Sequence, residues 1–325
     1  MDERVPREPL PSRPRVVFMG TPQFAVPTLE TIIRERYEIL SVVTQPDRPK
    51  GRGQRLSPSA VKVVAQENNL KILQPERLDD RFLGAIDPLQ PDLLVVVAFG
   101  QIIPGKVLSL AKWGGINIHA SLLPRYRGSA PIQWAIINNE KTTGLTTMFM
   151  DEGLDTGPII LQQEVDILEG ETAGQLHDRL SAFAPELLIK TIQGLNHGTV
   201  APRKQDDSLA TYAPRLTKEQ GLIDWSRPAE QICGLIRGLD PWPGAFTPYQ
   251  GGMMKLFGCL SSHHEEHSFS PGRIRYVGDR GLEIETGKGC VIVSKIQVPG
   301  KKRLSAVEFF RGSTLYTGSI LGGRE

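Results

Sequence analysis

Hydrophobic positions fall into short continuous runs over the first two thirds of the chain and into short alternating runs over the last third. Arg15 to Gly20 (RVVFMG) is apolar on both faces and runs into Gly-Thr-Pro, after which Phe24 to Arg34 places its apolar residues at helical spacing. Glu38 to Thr44 predicts a second strand, Ser59 to Asn68 a helix and Lys71 to Leu73 a short strand. Asp92 to Phe99 (DLLVVVAF) has the pattern of a central parallel strand, buried on both sides. Thr143 to Met150 and Ile159 to Ile167 predict further strands, and Thr172 to Gly194 a long amphipathic helix with Pro185 as a point for a kink. Strands alternating with helices predict an α/β domain over residues 15–198, with a doubly wound, Rossmann-like, mostly parallel sheet.

The texture changes from Thr217. A short helix, Ala229 to Arg237, is followed by a D-P-W-P-G turn. Short strands follow at Ala245 to Tyr249, Met254 to Leu260, Gly272 to Val277, Leu282 to Thr286 and Cys290 to Gln297. Many short strands between Gly and Pro turns predict a small C-terminal β-barrel, OB-like, over residues 217–325. Residues 199–216 are polar and irregular and are expected to link the two domains. Residues 1–14 are rich in Pro, Arg and Glu with no apolar core, which fits a disordered extension and excludes a secretory signal.

Composition adds little to this picture. A length of 325 residues suits two domains, and 39% hydrophobic with 23% charged residues is ordinary for a globular protein. The longest apolar run, Leu93 to Phe99, is too short to span a bilayer. Cys233, Cys259 and Cys290 are widely spaced, so neither a disulfide framework nor a zinc knuckle is expected and a reducing cytosol is the simplest home. The net charge of +2 hides an asymmetry: residues 1–200 hold 21 basic against 23 acidic side chains, residues 201–325 hold 17 against 13. The C-terminal part is mildly basic, compatible with a polyanionic partner.

The stretch from Gly114 to Gln133 (GGINIHASLLPRYRGSAPIQ) carries the clearest candidate chemistry. Alternation puts Asn117 and His119 on one face at a strand end, about 7 Å apart. A neutral amide donor beside an imidazole suits a reaction in which charge develops on one oxygen while a proton moves. An isolated N-x-H also reads as a strand end beside a half-buried histidine. Here Pro124 and Gly128 break the chain directly afterwards, where open parallel sheets place their ligand crevices. The turn after the first strand lacks the dinucleotide fingerprint, because the glycine after Gly20 is Gly51.

Two loops stand out besides. QPDRPKGRGQRLSPS carries Arg48, Lys50, Arg52 and Arg55 with Gly51 and Gly53 between them, which suits either a solvated basic loop or one that contacts phosphate. In DEGLDTG, Asp151 and Glu152 read as a solvated turn, whereas Asp155, framed by Gly153 and Gly157, can be aimed inward. The run His263-His264-Glu265-Glu266-His267 misses the metalloprotease spacing by one residue and is expected to be an exposed loop.

The run N-I-H-A-S-L-L-P-R-Y-R-G-x-A-P-I-Q resembles the signature of the 10-formyltetrahydrofolate-dependent formyltransferases. The likeness extends from about Arg15 to Gly318 through F-M-G-T-P-Q-F-A, T-Q-P-D-R-P-x-G-R-G, V-V-V-A-F-G, M-D-E-G-L-D-T-G, I-D-W, D-P-W-P-G and the late G-K-K. It implies that Asn117, His119 and Asp155 are catalytic and that Ser121, Leu122, Leu123 and Pro124 bind the folate. The pterin is then held partly by backbone near Val97 to Gly100 and Met150 to Asp155. The basic loop and the β domain are most similar to those of members acting on initiator methionyl-tRNA, which implies Arg48, Lys50 and Arg52 as a tRNA-binding loop. It further implies 10-formyltetrahydrofolate as the formyl donor, no metal, and a cytoplasmic monomer away from membranes. Two alternatives stay open on the residues: a formyltransferase for a nucleotide-linked amino sugar, or a catalytically dead protein that binds tRNA or nucleotide.

Overall fold

The run Val-Val-Phe-Met forms β1 (Val16–Gly20), buried along its whole length. It lies in a seven-stranded sheet with β2 (Ile39–Val43) on one side and, beyond a hairpin of β3 (Arg48–Lys50) and β4 (Arg55–Ser57), the short β5 (Ile72–Leu73) next to β2. On the other side of β1 come β6 (Leu93–Val97), β7 (Gly115–His119), β8 (Thr142–Phe149) and β9 (Ile159–Asp166), giving the order β5-β2-β1-β6-β7-β8-β9. Pairing is parallel from β5 through β7 and turns antiparallel at β8. The sequence order reverses across β1, which is the topological switch expected of a doubly wound sheet.

This structure is a computed structural model and describes residues 9–50, 55–262 and 270–322. The chain forms two units. One comprises the residues up to Gly128 with Gly144–Val165 and His177–Tyr212; the other comprises Ser129–Thr143, Asp166–Leu176 and the residues from Ala213 onward.

Helices of the first unit begin where local chemistry lets them. α1 (Val26–Arg34) has proline in its first turn, α2 (Ala60–Glu67) is capped by the Ser59 hydroxyl, which accepts from the Lys62 N–H at 3.0 Å, and α3 (Asp80–Ile86) is capped by Asp79. The sequence pattern did not predict α3, which buries Phe82 and Ile86 and packs the partly buried Leu83 against the same core. After α4 (Gly105–Leu108), and past α5 (Pro131–Ile137) of the second unit, α6 (Ala173–His197) runs unbroken for 25 residues with Pro185 inside it.

Three expectations meet a different outcome in the structure. Of the extension, residues 9–14 are placed: Leu10 is fully buried and its carbonyl accepts from Asn196 Nδ2 at 2.6 Å. Residues 199–212, expected as linker, are held to the first unit, through the Ile159–Arg203 and Arg127–Tyr212 bridges and a buried Gln205. The basic loop is a hairpin on either side of residues 51–54, with Arg48 opposite Ser57 and Lys50 opposite Arg55.

In the second unit α5 packs with α7 (Ala229–Gly238), and the sheet is antiparallel in the order β10 (Ala245–Tyr249), β11 (Gly252–Ser262), β14, β13, β12. Those last three span Ile274–Gly278 (β12), Gly281–Glu285 (β13) and Cys290–Gln297 (β14); β15 (Leu304–Ser305) adds to β14 and leads into α8 (Ala306–Arg311) through a Ser305/Glu308 capping box. Ile232 and Ile236 of α7 meet Leu256, Ile284, Val293 and Ile296 of the sheet in one core. This packing corrects the expectation for cysteine. Cys233 on α7 and Cys259 on β11 form a disulfide with Cα atoms 5.2 Å apart, and Cys290 is buried on β14. Their spacing of 26 residues matches no motif, and only the seating of the helix on the strand brings them together.

Candidate active site

β7 ends at the carboxyl edge of the sheet, and its alternation does what the sequence predicts: Ile116 and Ile118 are buried on one face while Asn117 and His119 share the other. Opposite them on β8 stand Met148 and Thr146. Asn117 is half-buried, and its amide makes no side-chain hydrogen bond among the described residues. His119 is 6% exposed and held from two sides. Its Nε2 lies 2.9 Å from the Tyr126 carbonyl oxygen and its Nδ1 lies 3.7 Å from Asp155 Oδ2. A carbonyl oxygen only accepts, so Nε2 carries a proton and Nδ1 is the nitrogen left to exchange one. The distance to Asp155 is an ion-pair separation, too long for a hydrogen bond.

Asp155 is aimed by its own backbone. It takes a left-handed conformation with φ of 54°, costly for a residue with a side chain, and Oδ2 accepts the Gly128 N–H at 2.8 Å. The framing glycines are needed for space: a Cβ at Gly157 would lie 1.8 Å from the Phe149 carbonyl oxygen, and one at Gly153 would lie 1.9 Å from Thr156 Oγ1. Asp151 braces the same loop, accepting from the Gly153 N–H at 3.0 Å and from Thr156 Oγ1 at 2.7 Å. Glu152 is exposed.

The Ser-Leu-Leu-Pro turn divides its work. Ser121 is fully buried and its hydroxyl donates to the Arg125 carbonyl at 2.6 Å. Thr146 Oγ1 ties the turn to β8, donating to the Ser121 carbonyl and accepting the Leu123 N–H. Leu122, Leu123 and Pro124 line a groove of about 630 Å³ together with Arg125, Gln162 and Leu209, within the usual size of a small-molecule site.

The remaining predicted residues are only partly placed. Arg48 and Lys50 lie in β3, while Arg52 is outside the described residues. At the base of that hairpin Asp47 accepts from Lys62 Nζ at 2.7 Å and from Gln74 Nε2 at 2.8 Å, and these hydrogen bonds, Lys62 first, hold its carboxyl below the usual range. The His/Glu run at 263–267 also lies outside the described residues. Among the described residues no group of three or more His, Cys, Asp or Glu is placed to hold a metal, and no helix is long and apolar enough to cross a membrane.

Sequence reasoning missed Tyr126, Gly128, Arg127 and Gln205 as parts of the site. The first two act through backbone atoms, which carry no residue code. Arg127 and Gln205 are both buried, at 2% and 5% exposure, and a charged or amide side chain in the core needs partners to be there. The tight polar run R-K-Q-D-D is the one signal that could have found Gln205.

Comparison with known proteins agrees with this architecture. A family described as formyl transferase matches residues 14–192, and its C-terminal domain matches residues 215–314. The methionyl-tRNA formyltransferase of Citrifermentans bemidjiense is 47% identical over 96% of this chain and 97% of its own length. That of Clostridium tetani is 49% identical over 94% of this chain and 99% of its own. Among solved structures, an N-formyltransferase from Helicobacter canadensis in complex with folinic acid and dTDP-3-aminofucose superposes with a TM-score of 0.66 over 86% of this chain and 98% of that one, at 21% identity, a likeness of fold. With the formyl transferase model covering more than half of its length and these relatives aligned nearly end to end, the chain belongs to the formyltransferase family, in the branch that carries the name methionyl-tRNA formyltransferase.

Proposed function

We propose that this protein transfers the formyl group of 10-formyltetrahydrofolate to the α-amino group of initiator methionyl-tRNA in the cytoplasm. The observation that carries the reading is the meeting of His119 Nδ1 and Asp155 Oδ2, 3.7 Å apart, at the end of the strand that also presents the unengaged Asn117 amide.

In this reading the amine nitrogen attacks the formyl carbon. The carbon–nitrogen bond to the amine forms, the bond to N10 of the folate breaks, and the amine proton passes to N10. The oxygen of the tetrahedral intermediate is negative, and Asn117 Nδ2 with a protonated His119 Nδ1 supplies donors to it. Pre-aimed donors of this kind are worth about 10²–10³ in rate each. With Nε2 already donating to Tyr126, His119 protonated at Nδ1 is an imidazolium, and the Asp155 carboxylate faces its charge. Asp155 also stands where a proton relay through His119 would end. The groove beside Leu122, Leu123 and Pro124 supports a small ligand there, and the left-handed Ala98 and Gly100 after β6 leave exposed backbone for a pterin edge. Arg48, Lys50 and Arg52 then meet the acceptor end of the tRNA through phosphate contacts.

The decisive experiment offers the purified protein 10-formyltetrahydrofolate with methionyl-tRNA, glycinamide ribonucleotide or a nucleotide-linked amino sugar. Formylation of methionyl-tRNA alone is expected. Preference for the sugar amine, or transfer to none, overturns the reading.

A further inference from the structure

Gln205 fills all four of its hydrogen-bonding positions inside the first unit. Its Nε2 donates to the carbonyl oxygens of Asp155 and Gly157, both at 2.8 Å, and its Oε1 accepts from Arg127 Nε at 3.1 Å and Nη2 at 2.8 Å. A guanidinium only donates and a carbonyl only accepts, so the amide can face one way alone. Arg127 is in turn fixed by Asp207, 2.7 Å from Nη2, and by its own N–H, which donates to the Thr211 carbonyl at 2.8 Å.

The two carbonyls that Gln205 grips lie at the left-handed residue and two residues beyond it. A conformation of that kind persists only where its surroundings over-determine it. Asp155 is therefore held at its carboxylate by the Gly128 N–H and along its backbone by Gln205. The same short segment, Tyr126 to Gly128, supplies the carbonyl that orients His119, the guanidinium that orients Gln205 and the N–H that takes the Asp155 carboxylate.

We propose that Gln205, oriented by Arg127, is a positioning residue that sets the Asp155 carboxylate against His119 Nδ1. The proposal rests on the reading that Asp155 acts with His119 in formyl transfer. Gln205→Glu is nearly isosteric and keeps a partner for Arg127, but it turns an acceptor toward both carbonyls.

The test is a double-mutant cycle with Asp155→Asn, read as kcat and KM for formyl donor and aminoacyl-tRNA. Gln205→Glu is expected to lower kcat by roughly tenfold to a hundredfold, the effect of misplacing a catalytic group by about 1 Å, with both KM values within about threefold. In the Asp155→Asn background the same change should cost less than about threefold, because no carboxylate remains to be placed. A loss as large in both backgrounds, or wild-type turnover in folded Gln205→Glu, overturns the proposal.

Should Gln205→Glu fail to fold, Arg127→Lys, which keeps the charge beside Asp207 without the fork to Gln205, is put through the same cycle with the same two outcomes. The ring nitrogen chemical shifts of His119 at one pH give a readout apart from turnover: in Gln205→Glu they should move toward those of Asp155→Asn, and wild-type shifts count against the clamp. Asp155→Asn at wild-type turnover overturns the reading of the site itself, whereas a crippled Asp155→Asn beside a normal Gln205→Glu overturns the clamp alone.

Discussion

At the carboxyl end of β7 the first unit buries His119, Ser121, Arg127, Thr146 and Gln205 close together, whereas the second unit buries Glu285, Thr247 and Thr286 around its antiparallel sheet. Both sets are expensive to take out of water, and both are hydrogen-bonded. The difference lies in what is left over. Glu285 is filled: Oε1 accepts from Arg273 Nη2 at 2.7 Å, and Oε2 accepts from Arg273 Nε at 3.1 Å and from the Ser270 N–H at 2.7 Å. In the first unit, among the described residues, the Asn117 amide beside the network makes no side-chain hydrogen bond and His119 Nδ1 stands 3.7 Å from Asp155 Oδ2 without a hydrogen bond to it, so both keep a valence to spend. A buried polar cluster that closes on itself stabilises a fold, and one that stops short leaves an address for a substrate.

The largest effect should come from cutting the open network. His119→Ala and Asp155→Ala are each expected to lower kcat by roughly 10² or more, with unfolding midpoints close to that of the parent protein. Steady-state formylation beside circular dichroism checks both at once. Near-normal turnover in either variant would make the two networks equivalent and remove the site.

Cutting the closed network should do the reverse. Glu285→Gln loses a forked, charge-assisted pair from a carboxylate that is 1% exposed, and about 2 kcal/mol of stability should go with it while turnover at 25 °C is kept. The pH dependence has a definite sign. Burial pushes the Glu285 carboxyl up, but the Arg273 fork and the Ser270 N–H outweigh it and hold the group below its ordinary value. Its contribution is present above the unfolded carboxylate range, about 4.3, and is lost as pH falls through the depressed folded value. Denaturation curves of the parent and Glu285→Gln proteins should therefore converge in acid, and curves that stay parallel would show that the pair is not what the mutation removes.

The smallest effect belongs to the basic run around Arg52. Arg52→Leu and Arg52→Lys are each expected to lower kcat/KM for methionyl-tRNA by at least about tenfold, or roughly 1.4 kcal/mol, because lysine cannot reproduce the bidentate fork. Folate binding should stay near that of the parent. Equal loss of both, or loss of neither, would mean that the basic residues serve something other than the tRNA.

The sequence by itself determined the main strands of the first unit's sheet, though neither α3 nor the β3–β4 hairpin, together with the change of texture at Thr217 and the pairing of Asn117 with His119 on one face. Apolar runs of four to five residues and period-two alternation are local, and burial on both faces of a parallel strand leaves its mark in consecutive side chains. The glycines around Asp155 were legible too, although they serve close approach and the bend falls on Asp155 itself.

What only the tertiary structure decided are contacts between segments distant in the chain. Arg127 reaches Gln205 across 78 residues, Asp155 reaches Gly128 across 27, and Cys233 meets Cys259 because a helix lands on a strand. The tautomer of His119 depends on which way the Tyr126 carbonyl points. That direction is a property of the backbone path at φ of 59°, and every residue has the same carbonyl, so no choice of side chain could have announced it.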